Sequence, residues 1–178
     1  GDMLARECLD EESAADVRTA VSTIQRRSEG LLHFVEAYRN LTRLPAPDFQ
    51  ILRIGELFER VEQLLQTQFV NSAVELRTSV EPPTLELTAD PEQVEQVLIN
   101  LLRNARQAAD SCPGASVELT AHLSRGHVII EVADNGPGIV EEALDKIFIP
   151  FFTTKQDGSG IGLSLCRQIL RLHGGAIS

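Results

Sequence analysis

Two asparagines, Asn100 and Asn104, stand four residues apart in the run Ile99-Asn-Leu-Leu-Arg-Asn-Ala105. On a helix they lie one turn apart, and Gln93 and Gln107 share their edge. Amide carbonyl oxygens suit a hard cation such as Mg²⁺, which takes oxygen ligands and shares them with phosphates. Taken alone, the pair reads as an ordinary solvated polar edge. Asp134-Asn-Gly-Pro-Gly-Ile139 follows the alternating run Val128-Ile-Ile-Glu-Val132. An aspartate at a strand end can accept a hydrogen bond from a ligand amine, and Gly136 and Gly138 let the backbone come close to that ligand. The same residues also make strong turn chemistry.

Two further clusters follow. Ile147-Phe-Ile-Pro-Phe-Phe-Thr-Thr-Lys155 puts three phenylalanines in a loop, which is costly unless they dock on something. Lys155 closes that run as a mobile point charge able to reach a phosphate. Gly158-Ser-Gly-Ile-Gly-Leu163 stands immediately before the last helical pattern. Glycines at Gly158, Gly160 and Gly162 would let backbone N–H groups and the helix dipole face an anion. An isolated glycine pattern is weak, but the order of all four clusters is specific.

The elements that position these residues can be read from periodicity. Asp90-Pro91 predicts the start of a long helix, with Asp90 as cap and proline in the first turn. Val94, Val97, Leu98, Leu101, Leu102 and Ala105 form its apolar face. Cys112-Pro113-Gly114 ends it. Residues 116–123 and 127–133 predict a hairpin around Ser124-Arg-Gly126. Residues 161–172 predict the last helix, closed by Gly174-Gly175, and Ala176-Ile-Ser178 the beginning of a strand. Upstream, residues 49–54 predict a short strand and 55–69 a helix through Leu57, Val61, Leu64 and Leu65. Strands are expected at 74–80 and 85–88, with Pro82-Pro83 turning between them. A short helical patch is expected at 141–148.

The first stretch has no strand pattern. Ser13 and Asp16 read as a helix start. Ala14, Val17, Val21, Ile24, Ser28, Leu31, Val35, Tyr38 and Thr42 then follow a 3.5-residue seam, the pattern of a helix packed on other long helices. Pro45 and Pro47 stop it, so the expected domains are residues 1–48 and 49–178.

The chain carries 26 acidic against 16 basic residues, a formal charge of −10. That field repels nucleic acid, which is excluded as an expected partner. With 43% hydrophobic residues, a packed core is expected. Cys8, Cys112 and Cys166 are scattered and odd in number, which fits a reduced, cytoplasmic setting better than a disulfide framework. No apolar run is long enough for a membrane span, and no leader pattern is seen.

Together the four clusters resemble the nucleotide-binding domain shared by histidine kinases, gyrase, Hsp90 and MutL. Asn-Leu-Leu-Arg-Asn-Ala looks like its asparagine box, Asp-Asn-Gly-Pro-Gly its first glycine box and Gly-Ser-Gly-Ile-Gly-Leu its second. Phe-Phe-Thr-Thr-Lys resembles the phenylalanine box of histidine kinases specifically. The N-terminal helix resembles the second dimerisation-hairpin helix of nitrogen-regulation-type sensor kinases. The resemblance implies an α+β fold, an antiparallel or mixed sheet covered by helices on one face. It implies ATP and Mg²⁺ as cofactors, with Asn104 as metal ligand assisted by Asn100. By the same resemblance Asp134 takes the adenine amino group, and Gly136 and Gly138 shape the pocket mouth. Lys155 approaches the terminal phosphate, and Gly158, Gly160 and Gly162 line the phosphates. The loop from Gly138 to Gly158 corresponds to the ATP lid. The implied partners are a response regulator receiver domain and a second copy joined through the hairpin helices. The parent protein would be a membrane-bound sensor whose cytoplasmic part this is.

Two departures accompany the resemblance. Many relatives carry lysine three residues after the second asparagine, where this chain has Gln107, so Arg103 or Arg106 is the expected substitute. No histidine stands in the acceptor context, since His33 lies in Leu-Leu-His-Phe-Val on the second hairpin helix. The chain therefore reads as a fragment cut at both ends. Gyrase- and Hsp90-type ATPases use a glutamate one turn before the metal asparagine to activate water. Asn100 stands there instead, which favours phosphoryl transfer over hydrolysis. An anti-sigma-type serine kinase would lack the coiled hairpin helix.

Overall fold

The computed structural model describes residues 17–25, 44–155 and 158–178. The chain divides into a unit covering Gly1–Arg39 and a larger one covering Asn40–Ser178. In the first, residues 17–25 are helical, and Val17, Val21 and Ile24 of the seam are exposed. Ser13, Asp16, His33, Cys8 and the remaining seam positions lie outside the described residues.

In the larger unit, strand β1 (Gln50–Arg53) leads directly into helix α1 (Ile54–Val70). Ile54, Leu57, Phe58, Val61, Leu65 and Phe69 recur at steps of one, three and four, and all are buried. Leu64, expected on that face, is 54% exposed, and Phe58 takes the inward place. Strand β2 (Glu75–Glu81) and strand β3 (Glu86–Ala89) follow, but they do not pair with each other. β3 runs antiparallel to β1, with Gln50 opposite Ala89. β2 instead pairs in parallel with β4 (Ser116–Ser124), Glu75 opposite Ser116. A parallel pair needs a long crossover, and α2 (Pro91–Ala109) supplies it. β5 (His127–Asp134) returns antiparallel beside β4. The strands thus form a two-stranded and a three-stranded sheet.

The β4–β5 hairpin closes where Ser124 faces His127. Its two loop residues, Arg125 and Gly126, have φ of 49° and 81°, the left-handed pair that matches strand twist. Along β4, Val117, Leu119 and Ala121 point inward and are buried, while Glu118 between them is exposed. Arg77 and Glu118 approach to 3.9 Å on the opposite, solvent-facing side. Helices therefore cover one face of the sheet, and the core lies between that face, α1 and α2.

Three devices fix α2. The Asp90 carboxylate accepts from the N–H groups of Glu92 and Gln93 at 3.0 and 3.1 Å, and Pro91 opens the first turn. Val94, Val97, Leu98, Leu102, Ala105 and Ala109 are buried, while Leu101 is only half-buried. Helix α4 (Gly162–Leu172) packs against α2 and buries Leu165, Cys166 and Ile169. α4 ends where Gly174 (φ 72°) and Gly175 donate to the carbonyls of Arg171 and Leu170. Among the described residues between β5 and α4 the one helix is the single turn α3 (Glu141–Leu144), shorter than the expected helical patch. Residues 176–178 form no strand.

Candidate nucleotide-binding site

The polar edge of α2 meets the two glycine turns. Asn104 and Gln107 sit one turn apart, and both amide oxygens accept from Lys155, whose Nζ lies 3.2 Å from Asn104 Oδ1 and 2.7 Å from Gln107 Oε1. Lys155 comes from the loop after the three phenylalanines, about fifty residues downstream in sequence. Partial burial lowers the pKa of its ammonium, and the negative charge of Asp134 opposes that fall.

Asp134 ends β5, exposed, with its Oδ1 accepting from Gly136 N–H at 2.9 Å. Asn135 fixes the turn from the other side. Its side chain accepts from Ser116 N–H and donates to Gly114 O, both at 2.9 Å, tying the turn to the start of β4. Gly136 packs directly on α2. A Cβ there would stand 2.9 Å from the Ala108 carbonyl carbon and 2.6 Å from Asp134 Oδ1. Only glycine permits that approach. Gly138 has φ of 76° and no neighbour within 4 Å of an added Cβ.

The second glycine run is held by the loop that precedes it. Phe151 N–H donates to Gly160 O at 2.8 Å, and a Cβ on Gly160 (φ 66°) would lie 2.7 Å from the Phe151 carbonyl oxygen. Phe151 itself has φ of 69°, a strained value for an aromatic residue. Gly158 lies against Thr153 and Lys155. Gly162 opens α4, whose N-terminus carries no side-chain cap. Uncapped N–H groups at a helix start are a site for an anion. Asn100 lies beneath that start, its Oδ1 3.7 Å from where a Gly162 Cβ would be.

Asn100 also touches the Cys166 thiol. Burial pushes that thiol up to about 12, against the contact with Asn100. Cys166 is therefore a buried filler, as expected of a small apolar residue. The phenylalanines do dock in part: Phe148 is half-buried, with the Arg167 guanidinium 5.4 Å from its ring centre.

The structure thus brings Asn104, Asp134, Gly136 and Lys155 together, and sets Asn100 and Gly162 at the adjoining α2–α4 junction. Arg103 shares the polar edge by helical phase and is exposed, whereas Arg106 turns away with its Nε buried and unbonded. Sequence reading missed Gln107 as the partner of Lys155, Asn135 as a clamp and Ala108 as the floor under Gly136. Asparagine in a glycine turn was a visible signal. The other two depend on which elements pack together. Among the described residues no cluster of three His, Cys, Asp or Glu side chains could hold a metal. A cation here would rely on amide oxygens and on its ligand.

Residues 89–178 match the family of histidine kinase-, DNA gyrase B- and HSP90-like ATPases. The chain belongs to this family. Sensor histidine kinase ZraS of Escherichia coli K12 is 37% identical over 72% of this chain and 27% of its own length. Sensory histidine kinase/phosphatase NtrB of Salmonella typhimurium is 35% identical over 83% of this chain and 46% of its own. This chain therefore spans less than half of either relative. The solved catalytic domain of histidine kinase ThkA, in a nucleotide-free form, superposes with a TM-score of 0.64 at 34% identity, covering 70% of this chain and 80% of that one. ThkA solved with its response regulator TrrA gives 0.71 at 26% identity, over 97% of this chain and 47% of that one. The α+β fold and the ATP-binding character implied by the sequence are those of the family.

Proposed function

We propose that this chain is the ATP-binding catalytic part of a sensor histidine kinase. It transfers the γ-phosphoryl group to a histidine outside these 178 residues, and thence to a response regulator aspartate. The observation that carries this reading is the convergence of Asn104, Asp134 and Lys155 on one edge of α2, beside the uncapped start of α4. Asp134 offers an exposed carboxylate to the adenine amino group. Gly136 lets that turn lie against α2. Lys155 and the N–H groups of α4 oppose phosphate charge in a chain that is otherwise strongly acidic. Asn104 holds a cation with its amide oxygen already, so the donor fits Mg²⁺, which would supply charge neutralisation on the phosphates. Transfer rather than hydrolysis is supported by Asn100, a neutral amide set against Gly162 and Cys166, where a water-activating carboxylate would otherwise be needed.

The solved pairing of ThkA with a response regulator supports a receiver domain as partner. Residues 1–48 would form part of the dimerising hairpin and residues 49–178 the catalytic domain. Among the described residues no helix is long and apolar enough to cross a membrane. A cytoplasmic position beneath a membrane-bound sensor region is proposed from the resemblance of the sequence motifs alone.

Isothermal titration with Mg·ATP tests the reading. Saturable binding is expected, and Asp134→Asn should weaken ATP far more than inorganic triphosphate. No binding up to millimolar ATP would overturn it. Asn104→Ala should reduce affinity with Mg²⁺ present and change little in EDTA.

A further inference from the structure

We propose that Gln107 is a positioning residue that, with Asn104, holds the Lys155 ammonium over the phosphate side of the site. The proposal rests on the nucleotide-binding reading above and extends it. Lys155 is carried by a loop on a flexible stem, and left alone its charge would sweep through solvent. Two side chains from α2 restrain it. Gln107 Oε1 is the nearer, at 2.7 Å, and Asn104 Oδ1 follows at 3.2 Å. These residues stand three apart, so their oxygens project from the same edge and meet one ammonium without strain.

The chemistry of the acceptors matters as much as their place. Both are neutral amides. They orient the ammonium through dipoles and bring no opposing charge of their own. A carboxylate at position 107 would fix the lysine equally well but cancel its charge. An ammonium has three N–H donors. Two are engaged by Gln107 and Asn104, and the described residues provide no third acceptor. The remaining donor is the one an incoming phosphate oxygen would take. The same arrangement lets Asn104 exchange Lys155 for a metal ion while Gln107 keeps its hold on the lysine.

The test is a double-mutant cycle on the full chain, read as affinity for Mg·ATP and for AMP. Gln107→Ala should weaken ATP about threefold to tenfold, the range of one net hydrogen bond, and change AMP binding little. Gln107→Glu keeps the length and the acceptor but adds a negative charge. It should weaken ATP at least as much as alanine does, which a space-filling role for Gln107 would not produce. In a Lys155→Ala background, Gln107→Ala should have no further effect. Equal losses for ATP and AMP, or fully additive losses with Lys155→Ala, would overturn the positioning role and leave nucleotide binding standing. A wild-type chain that binds neither ligand would overturn both readings.

Discussion

At the residue scale, Gly136 shows how little space the first turn leaves against α2. A methyl group on Gly136 would stand 2.6 Å from the Asp134 carboxylate and 2.9 Å from the backbone of Ala108, which cannot give way as a side-chain tip can. Gly136→Ala is therefore expected to cost about 1–3 kcal/mol of stability or to push the turn off α2. Either response moves Asp134, so ATP affinity should fall while the strand content by circular dichroism stays. A Gly136→Ala chain with unchanged affinity and Tm would show that the turn has room the structure does not contain. Gly138→Ala makes a useful contrast, because its neighbourhood is open and only its left-handed φ is strained.

At the element scale, the start of α2 is a junction. Asp90 accepts from Asp48 N–H at 2.9 Å as well as from its own helix, and Gln93 Nε2 donates to Pro45 O at 3.2 Å. The Asp90 N–H donates to His173 Nε2 at 3.0 Å, and His173 Nδ1 lies 2.8 Å from Ile169 O. Burial alone would raise the Asp90 pKa, but N–H groups of Asp48, Gln93 and Glu92 outweigh it and hold the carboxyl below its ordinary value. The folded state thus binds this proton less readily than the unfolded state does. The resulting stability is complete above the ordinary carboxylate value of about 4. It is lost as pH falls through that value towards the lowered folded one. Thermal melts between neutral and acid pH should show a Tm decline that is shallower in Asp90→Asn. Asp90→Ala should cost about 1–2 kcal/mol at neutral pH through the cap alone.

The loop that the resemblance reads as an ATP lid belongs to the same scale. Among the described residues between Gly138 and Gly158 there is one helical turn, and several large apolar groups, Ile139, Val140, Ile149 and Phe151, stay exposed. Few buried contacts mean low local stability. Amide exchange across the lid should slow when ATP is added, and unchanged exchange would mean the lid is already in its final state.

At the scale of the whole molecule, the 178 residues combine a nucleotide site with no histidine in an acceptor context. In-line transfer needs a nucleophile held close to the γ-phosphate. His122 and His127 lie on the β4–β5 hairpin, and His173 is engaged at the base of α2. Incubation with γ-labelled ATP should leave this chain without acid-labile label. Stoichiometric acid-labile label abolished by His33→Gln would overturn that expectation.

The local order of elements was legible in the sequence because each one follows from near neighbours. Asp90-Pro91 caps a helix by contacts within four residues, Arg125-Gly126 turns a hairpin by backbone preference, and the α1 and α2 stripes follow helical phase. The four motif clusters were legible for the same reason, since glycines and a terminal lysine keep their spacing wherever the chain folds. What joined them was decided only in three dimensions. Nothing local says that β2 should pass over its neighbour β3 and pair with β4, or that β3 should turn back to β1. Those choices depend on which faces bury the most apolar surface once α2 lies across the sheet. The same packing brings Lys155 to Gln107 and sets Gly136 on Ala108. It also carries His173 from the last helix to the cap of α2. Each is a contact between residues far apart in the chain, and its existence depends on the assembled core rather than on either residue's own preference.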